Sequence, residues 1–144
     1  MLMAMVPWAE IVVGLALILV IFYDLFQSVV LPRPAVNQLA TVKYLLRGLW
    51  AFWRWVGNRY SSIPRRERWL AMFGPLGVMA MFGVWALGLV LGYGLLIDGL
   101  RGEIRPALDS FGTSLYFSAT TLVPLSYGDL VPVGFPARLV VIAE

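Results

Sequence analysis

Neither cysteine nor histidine occurs in the 144 residues. Without cysteine there is no disulfide framework and no thiolate metal site. Without histidine the commonest general base and metal ligand is missing as well. The eight acidic residues are scattered and no nucleophile–base pair is visible, so an enzyme is not expected. Charge is scarce too. Only 13% of residues are charged, 60% are hydrophobic and the mean hydropathy is +0.82, which excludes an ordinary soluble domain. The net charge of +3 does not point to nucleic acid, because of where it sits: Arg33, Lys43, Arg47, Arg54, Arg59, Arg65, Arg66 and Arg68, out of eleven basic residues, lie between the first long apolar run and the second. Such asymmetry is an orientation signal in a membrane protein. No helix carries arginine at every third position, so no voltage sensor is expected.

What is present is apolar and helical, and the expected fold class is an all-α membrane protein. Residues 8–31 form an apolar run long enough to span a bilayer, closed by Pro32-Arg33-Pro34. A secretory signal would carry basic residues ahead of the run and a small-residue cleavage site behind it; neither occurs, so residues 1–35 are expected to be a retained N-terminal transmembrane helix. Within it Asp24, Gln27 and Ser28 fall on one helical face. An ionisable group in a span is a functional candidate, with an arginine of the following loop as its expected partner; the competing reading is local pairing or reach to the interface.

Residues 36–68 are expected to be cytoplasmic. Over 37–60, Lys43, Arg47, Arg54 and Asn58 make one stripe, and Leu45, Leu46, Leu49, Phe52, Trp53 and Val56 cover the other side. That pattern suits a helix lying on the bilayer surface, against the anionic headgroups of the inner leaflet, or a linker between two spans. SSIPRRER, residues 61–68, reads as a hinge that stops this helix.

The longest apolar run then covers 69–98. It holds Gly88 and Gly92, a G-x-x-x-G pair that permits close helix approach, and Pro75 near its start. GLRGEIRP is a polar turret spanning 99–107. Residues 108–123 form an apolar helix too short for comfort as a full crossing and dotted with Ser and Thr, capped by Asp109 or Ser110. Pro124 ends it, because proline disfavours helical geometry at the residue before it. The helix C-terminus then points partial negative charge into the membrane, where a cation is favoured. Extended backbone at that depth is tolerated only where protein buries it or where it lines a watery cavity, and aligned carbonyls in such a cavity can replace the hydration shell of a monovalent cation. Residues 111–134 therefore read as a re-entrant pore loop.

The stretch SATTLVPLSYGDLVPVG resembles the pore helix and selectivity filter of the tetrameric potassium channel family, whose pattern is a Thr-rich helix end followed by T-V-G-Y-G-D. The resemblance implies an outer helix at 69–98, a pore helix at 108–123, a filter at 124–129 and the start of an inner helix at 136–144, together a pore domain at 69–144. It implies that Pro124, Leu125, Ser126, Tyr127 and Gly128 form the ion-conducting filter, that Tyr116 and Phe117 brace the filter tyrosine, and that Thr120, Thr121 and Asp129 support the loop. Arg138 falls where many members carry a basic residue. No cofactor or bound metal is implied beyond a permeant monovalent cation, potassium in this family, and the expected protein partner is the chain itself, as a homotetramer. Two positions depart from the pattern. Pro124 stands where threonine supplies the hydroxyls of the innermost ion site, and Ser126 stands where a glycine takes left-handed backbone, at a cost of about 1–2 kcal/mol for any other residue.

The expected function is thus a pore-forming subunit of a potassium-conducting cation channel in the plasma (cell inner) membrane. The alternatives are a weakly selective cation channel and a non-conducting channel-like scaffold or accessory subunit. With residues 32–68 cytoplasmic the N-terminus lies outside, the turret is extracellular and the pore loop enters from outside. ARLVVIAE, at 137–144, is about a third of a crossing, so the inner helix is expected to continue in a longer chain.

Overall fold

A computed structural model describes residues 2–29, 41–59 and 62–144. The expected Pro32-Arg33-Pro34 stop, residues 37–40 of the amphipathic helix and the side chain of Lys43 lie outside the described residues. Helices α1 (Leu2–Val29), α2 (Thr41–Gly57), α3 (Ile63–Ala71), α4 (Phe73–Gly99), α5 (Phe111–Leu122) and α6 (Phe135–Ala143) are joined late in the chain by a 3-10 turn at Arg101–Glu103 and two short strands, β1 (Ile104–Arg105) and β2 (Val131–Pro132). Two helical stretches, Pro7–Ser28 and Ile63–Gly99, are long and apolar enough to cross a membrane. The chain is an all-α membrane protein with these spans.

The chain divides into two compact units, Tyr23–Ala86 and the remainder, Met1–Phe22 with Leu87–Glu144. In the Tyr23–Ala86 unit, the hinge expected at 61–68 is largely helical. Ser62 is the N-cap of α3 and Pro64 falls in its first turn, where a missing N–H costs nothing because no intrahelical partner exists there. Pro75 is likewise in the first turn of α4. α2 is fastened to α3 by a reciprocal tryptophan pair. The Trp53 indole N–H donates to the Trp69 carbonyl at 2.9 Å, the Trp69 indole N–H donates to the Trp53 carbonyl at 3.2 Å, and the rings stack at 4.2 Å. Asp24 is 2% exposed and accepts from the Trp85 indole N–H at 2.8 Å, so its carboxylate is held by the next span.

In the other unit the start of α1 lies against the end of α4, and small residues set how close they come. A Cβ added at Gly14 would sit 2.6 Å from the Gly92 carbonyl oxygen, and one at Gly92 2.6 Å from Ile18. A Cβ at Gly88 would meet Ile21 at 2.5 Å. The G-x-x-x-G pair therefore receives α1, while Gly94 receives Leu115 of α5, where a Cβ would fall 2.7 Å from the leucine. Ile97, Ile104, Phe117, Leu130 and Ala137 form one buried cluster beneath the pore loop, and Ile18, Tyr93 and Leu96 form another between the spans. β1 pairs antiparallel with β2, Ile104 opposite Pro132 and Arg105 opposite Val131, tying the turret to the segment that leaves the loop.

Gly14→Ala is expected to lower the thermal unfolding midpoint of the solubilised protein, at a cost of about 1–3 kcal/mol for forced overpacking. Gly83→Ala, where nothing lies within 4 Å, should leave it unchanged or raise it slightly, since alanine favours the helix interior over glycine. Equal midpoints for the two would show that α1 is not seated on Gly92.

Candidate functional site: the pore loop

α5 begins at a cap and ends at a proline. Ser110 is the capping residue of the two expected candidates: its hydroxyl accepts from the Thr113 amide at 3.4 Å. Val123 closes the helix ahead of Pro124. The chain then folds back onto the helix end, where the Thr120 carbonyl accepts from the amides of both Leu125 at 2.9 Å and Ser126 at 3.3 Å. One carbonyl of the terminal turn, free of an intrahelical partner, thereby anchors the loop.

Beyond that anchor every second residue has positive φ: Pro124 at 20°, Ser126 at 37° and Gly128 at 77°. Alternating handedness turns successive peptide groups to the same side, whereas a strand alternates them. Ser126 adopts the left-handed backbone that its position in the pattern demands. Pro124 is the more strained residue, since its ring favours φ near −65°. Such strain, of order 1–3 kcal/mol per residue, persists only where surrounding structure enforces it.

The side chains expected to support the loop separate into two groups. Tyr116 lies parallel to Tyr127, with ring centroids 6.5 Å apart and an interplanar angle of 2°. Phe117, by contrast, is buried in the cluster beneath the loop and does not stack on the tyrosine. The Thr120 and Thr121 hydroxyls both donate to the Phe117 carbonyl, at 3.0 and 2.9 Å, so Thr120 holds the loop through its backbone. Residues 123–129 are exposed, Leu125 at 54% and Tyr127 at 66%. Behind them a cleft is lined by Thr121, Ser126, Gly128, Asp129, Leu130 and Val141. Among the described residues no three acidic side chains come together as a metal site.

Arg138 apart, sequence reasoning missed the residues that fix the frame. The Glu103 carboxylate accepts from the Ala137 amide at 3.0 Å, at the first turn of α6, and its backbone carbonyl accepts from Val133 and Gly134. Arg138 donates to the Pro132 carbonyl at 3.1 Å. Asp98, 5% exposed at the end of α4, accepts from the Ser114 hydroxyl at 2.9 Å and from Arg101 at 2.6 Å, and Arg101 also reaches Glu10 at 3.5 Å. Ser118 donates to Glu144, and the Tyr93 hydroxyl donates to the Ala143 carbonyl at 2.8 Å. The only signal in the sequence was polarity in apolar segments, which marks a residue without naming its partner.

Gly128→Ala should destabilise the protein by about 1–2 kcal/mol through its φ of 77° alone, since no atom lies within 4 Å of the added Cβ. Ser126→Gly should shift stability the other way. Thermal unfolding of both variants checks this, and a neutral Gly128→Ala would contradict the left-handed loop.

Compared with known proteins, residues 79–144 match the family model described as "Ion channel". No curated protein and no solved structure matches the chain.

Proposed function

We propose that this chain, whose residues 79–144 match the ion-channel family model, is the pore-forming subunit of a homotetrameric cation channel that conducts potassium through the backbone carbonyls of residues 124–128. The observation that carries this reading is an exposed, irregular loop at 123–129 that folds back onto the end of α5, within the residues that match the ion-channel family model. In hydrocarbon such backbone would be left unsatisfied, so it is either buried by other protein or lines a water-filled cavity, and the pore reading takes the second. Copies of the same chain arranged about an axis supply that enclosure. They would also cover apolar side chains such as Leu125, Tyr127 and Ile142, which are 54%, 66% and 81% exposed in a single chain.

Cation preference follows from the end of α5, which directs its terminal carbonyls and their partial negative charge toward the cavity. Tyr116 and Asp129 brace the loop from the helix, Thr120 anchors its first two amides, and a permeant potassium ion is the only small partner required. The clustering of basic residues at 32–68 supports an orientation with that segment cytoplasmic, the N-terminus outside and the plasma (cell inner) membrane as location. Phe52 and Trp55 are 60% and 57% exposed on α2 beside Arg54 and Arg59, a composition suited to an anionic inner leaflet. A weakly selective pore is the second reading, and Pro124 is the observation that favours it, because it brings no hydroxyl to the innermost ion site.

The test is the reversal potential of reconstituted protein under opposed potassium and sodium gradients. Replacing Pro124 by Thr together with Ser126 by Gly is expected to raise the potassium-over-sodium permeability ratio several-fold. An unchanged ratio in a well-expressed, conducting variant would contradict the assignment of these positions to the filter.

A further inference from the structure

Four residues of α5 are buried, and three of them carry hydroxyls. Thr120 spends its hydroxyl on the helix's own backbone, as buried Ser and Thr in helices commonly do, and Thr121 does the same. Ser114 and Ser118, both 0% exposed, do not. They are four residues apart, hence on one face of α5, and each reaches out to a carboxylate on a different flanking element. Ser114 donates to Asp98 at the end of α4, and Ser118 donates to Glu144 at the end of α6.

Placing two carboxylates where they lose water is costly, and a helix lined with alanine would need neither. From that cost and from the geometry we infer that Asp98 and Glu144 are positioning residues, clamping α5 through Ser114 and Ser118 so that the filter is held at a fixed depth. The path from Glu144 to the filter is short. Ser118 precedes Thr120 by two residues, and the Thr120 carbonyl holds the amides of Leu125 and Ser126. Each flank is anchored in turn: Asp98 by Arg101, and the end of α6 by the Tyr93 hydroxyl on the Ala143 carbonyl. The two halves of the clamp differ in what they control. Asp98 fixes the start of α5, far from the loop, whereas Glu144 fixes the turn from which the filter departs. The inference rests on the pore reading for its consequence in permeation, though not for the clamp itself.

The test uses the full chain in lipid nanodiscs, with amide hydrogen exchange across residues 111–129 and, in parallel, reversal potentials in liposomes. Ser118→Ala and Glu144→Leu should each speed exchange over residues 118–126 about tenfold, the scale of a lost hydrogen bond to a charged group. The double variant should be no worse than either single one, because both remove the same bond. Glu144→Gln keeps an oxygen acceptor for Ser118 and should restore most of the protection and the wild-type permeability ratio. Ser114→Ala should loosen residues 111–117 and leave that ratio unchanged. Should Glu144→Leu fail to fold, Ser118→Ala removes only a hydroxyl and decides the matter. Unaltered exchange in Ser118→Ala, or additive effects in the double variant, would overturn the clamp. Wild-type protein that carries no current would overturn the pore reading, and the exchange data would still decide the clamp.

Discussion

Backbone polar groups in a bilayer must be satisfied by the protein or by water it encloses, and on the proposed reading the loop at 123–129 exists under that constraint. Residues 123–129 are neither helix nor ladder strand, and they follow the short helix α5 that comes after the second span. Everything packed around them answers the same requirement. α5 ends where Pro124 forces it to, the Thr120 carbonyl takes up the first two loop amides, and β1 and β2 tie the exit of the loop to the turret. The alternating positive φ values at Pro124, Ser126 and Gly128 show how far local geometry is bent to meet the constraint, since only one of the three residues adopts such backbone without strain.

Polar side chains within apolar segments do the fixing. α5 is approached by Asp98 at Ser114 and by Glu144 at Ser118, while Glu103 caps the start of α6. Where the carboxylate loses water, as Asp98 does, a hydroxyl donor meets it and converts a desolvation penalty into a directional restraint. The apolar cluster of Ile97, Ile104, Phe117, Leu130 and Ala137 supplies bulk, and these bonds supply register. In the Tyr23–Ala86 unit Asp24 follows the same logic through the Trp85 indole, and the Trp53–Trp69 pair joins α2 to α3 without any charge.

Much of this was legible in the sequence, because the signals involved are local. Hydropathy marked both spans, Pro124 marked the end of α5, and SATTLVPLSYGDLVPVG carried the resemblance to a pore loop, with the ion-channel family model matching residues 79–144. The position of Ser126 in that pattern announced its left-handed backbone. What the sequence hid was partnership between distant residues. Tyr116 and Phe117 are neighbours of similar character, yet one lies parallel to Tyr127 and the other is sealed into the core, a difference set by helix rotation. SSIPRRER looked like a hinge because Pro64 breaks helix interiors, but Ser62 caps a helix there and places the proline where helices tolerate it. Gly88 and Gly92 announced a close approach without saying that α1 would make it.

The central claim is that the exposed loop of one chain becomes the wall of a water-filled axis when copies assemble. Its most direct test is electrical recording from the purified full-length oligomer in a planar bilayer. The account predicts discrete unitary currents whose reversal potential follows the cation gradient and ignores the anion gradient. An oligomer that is intact by native mass spectrometry yet passes no current under any gradient or voltage would contradict it.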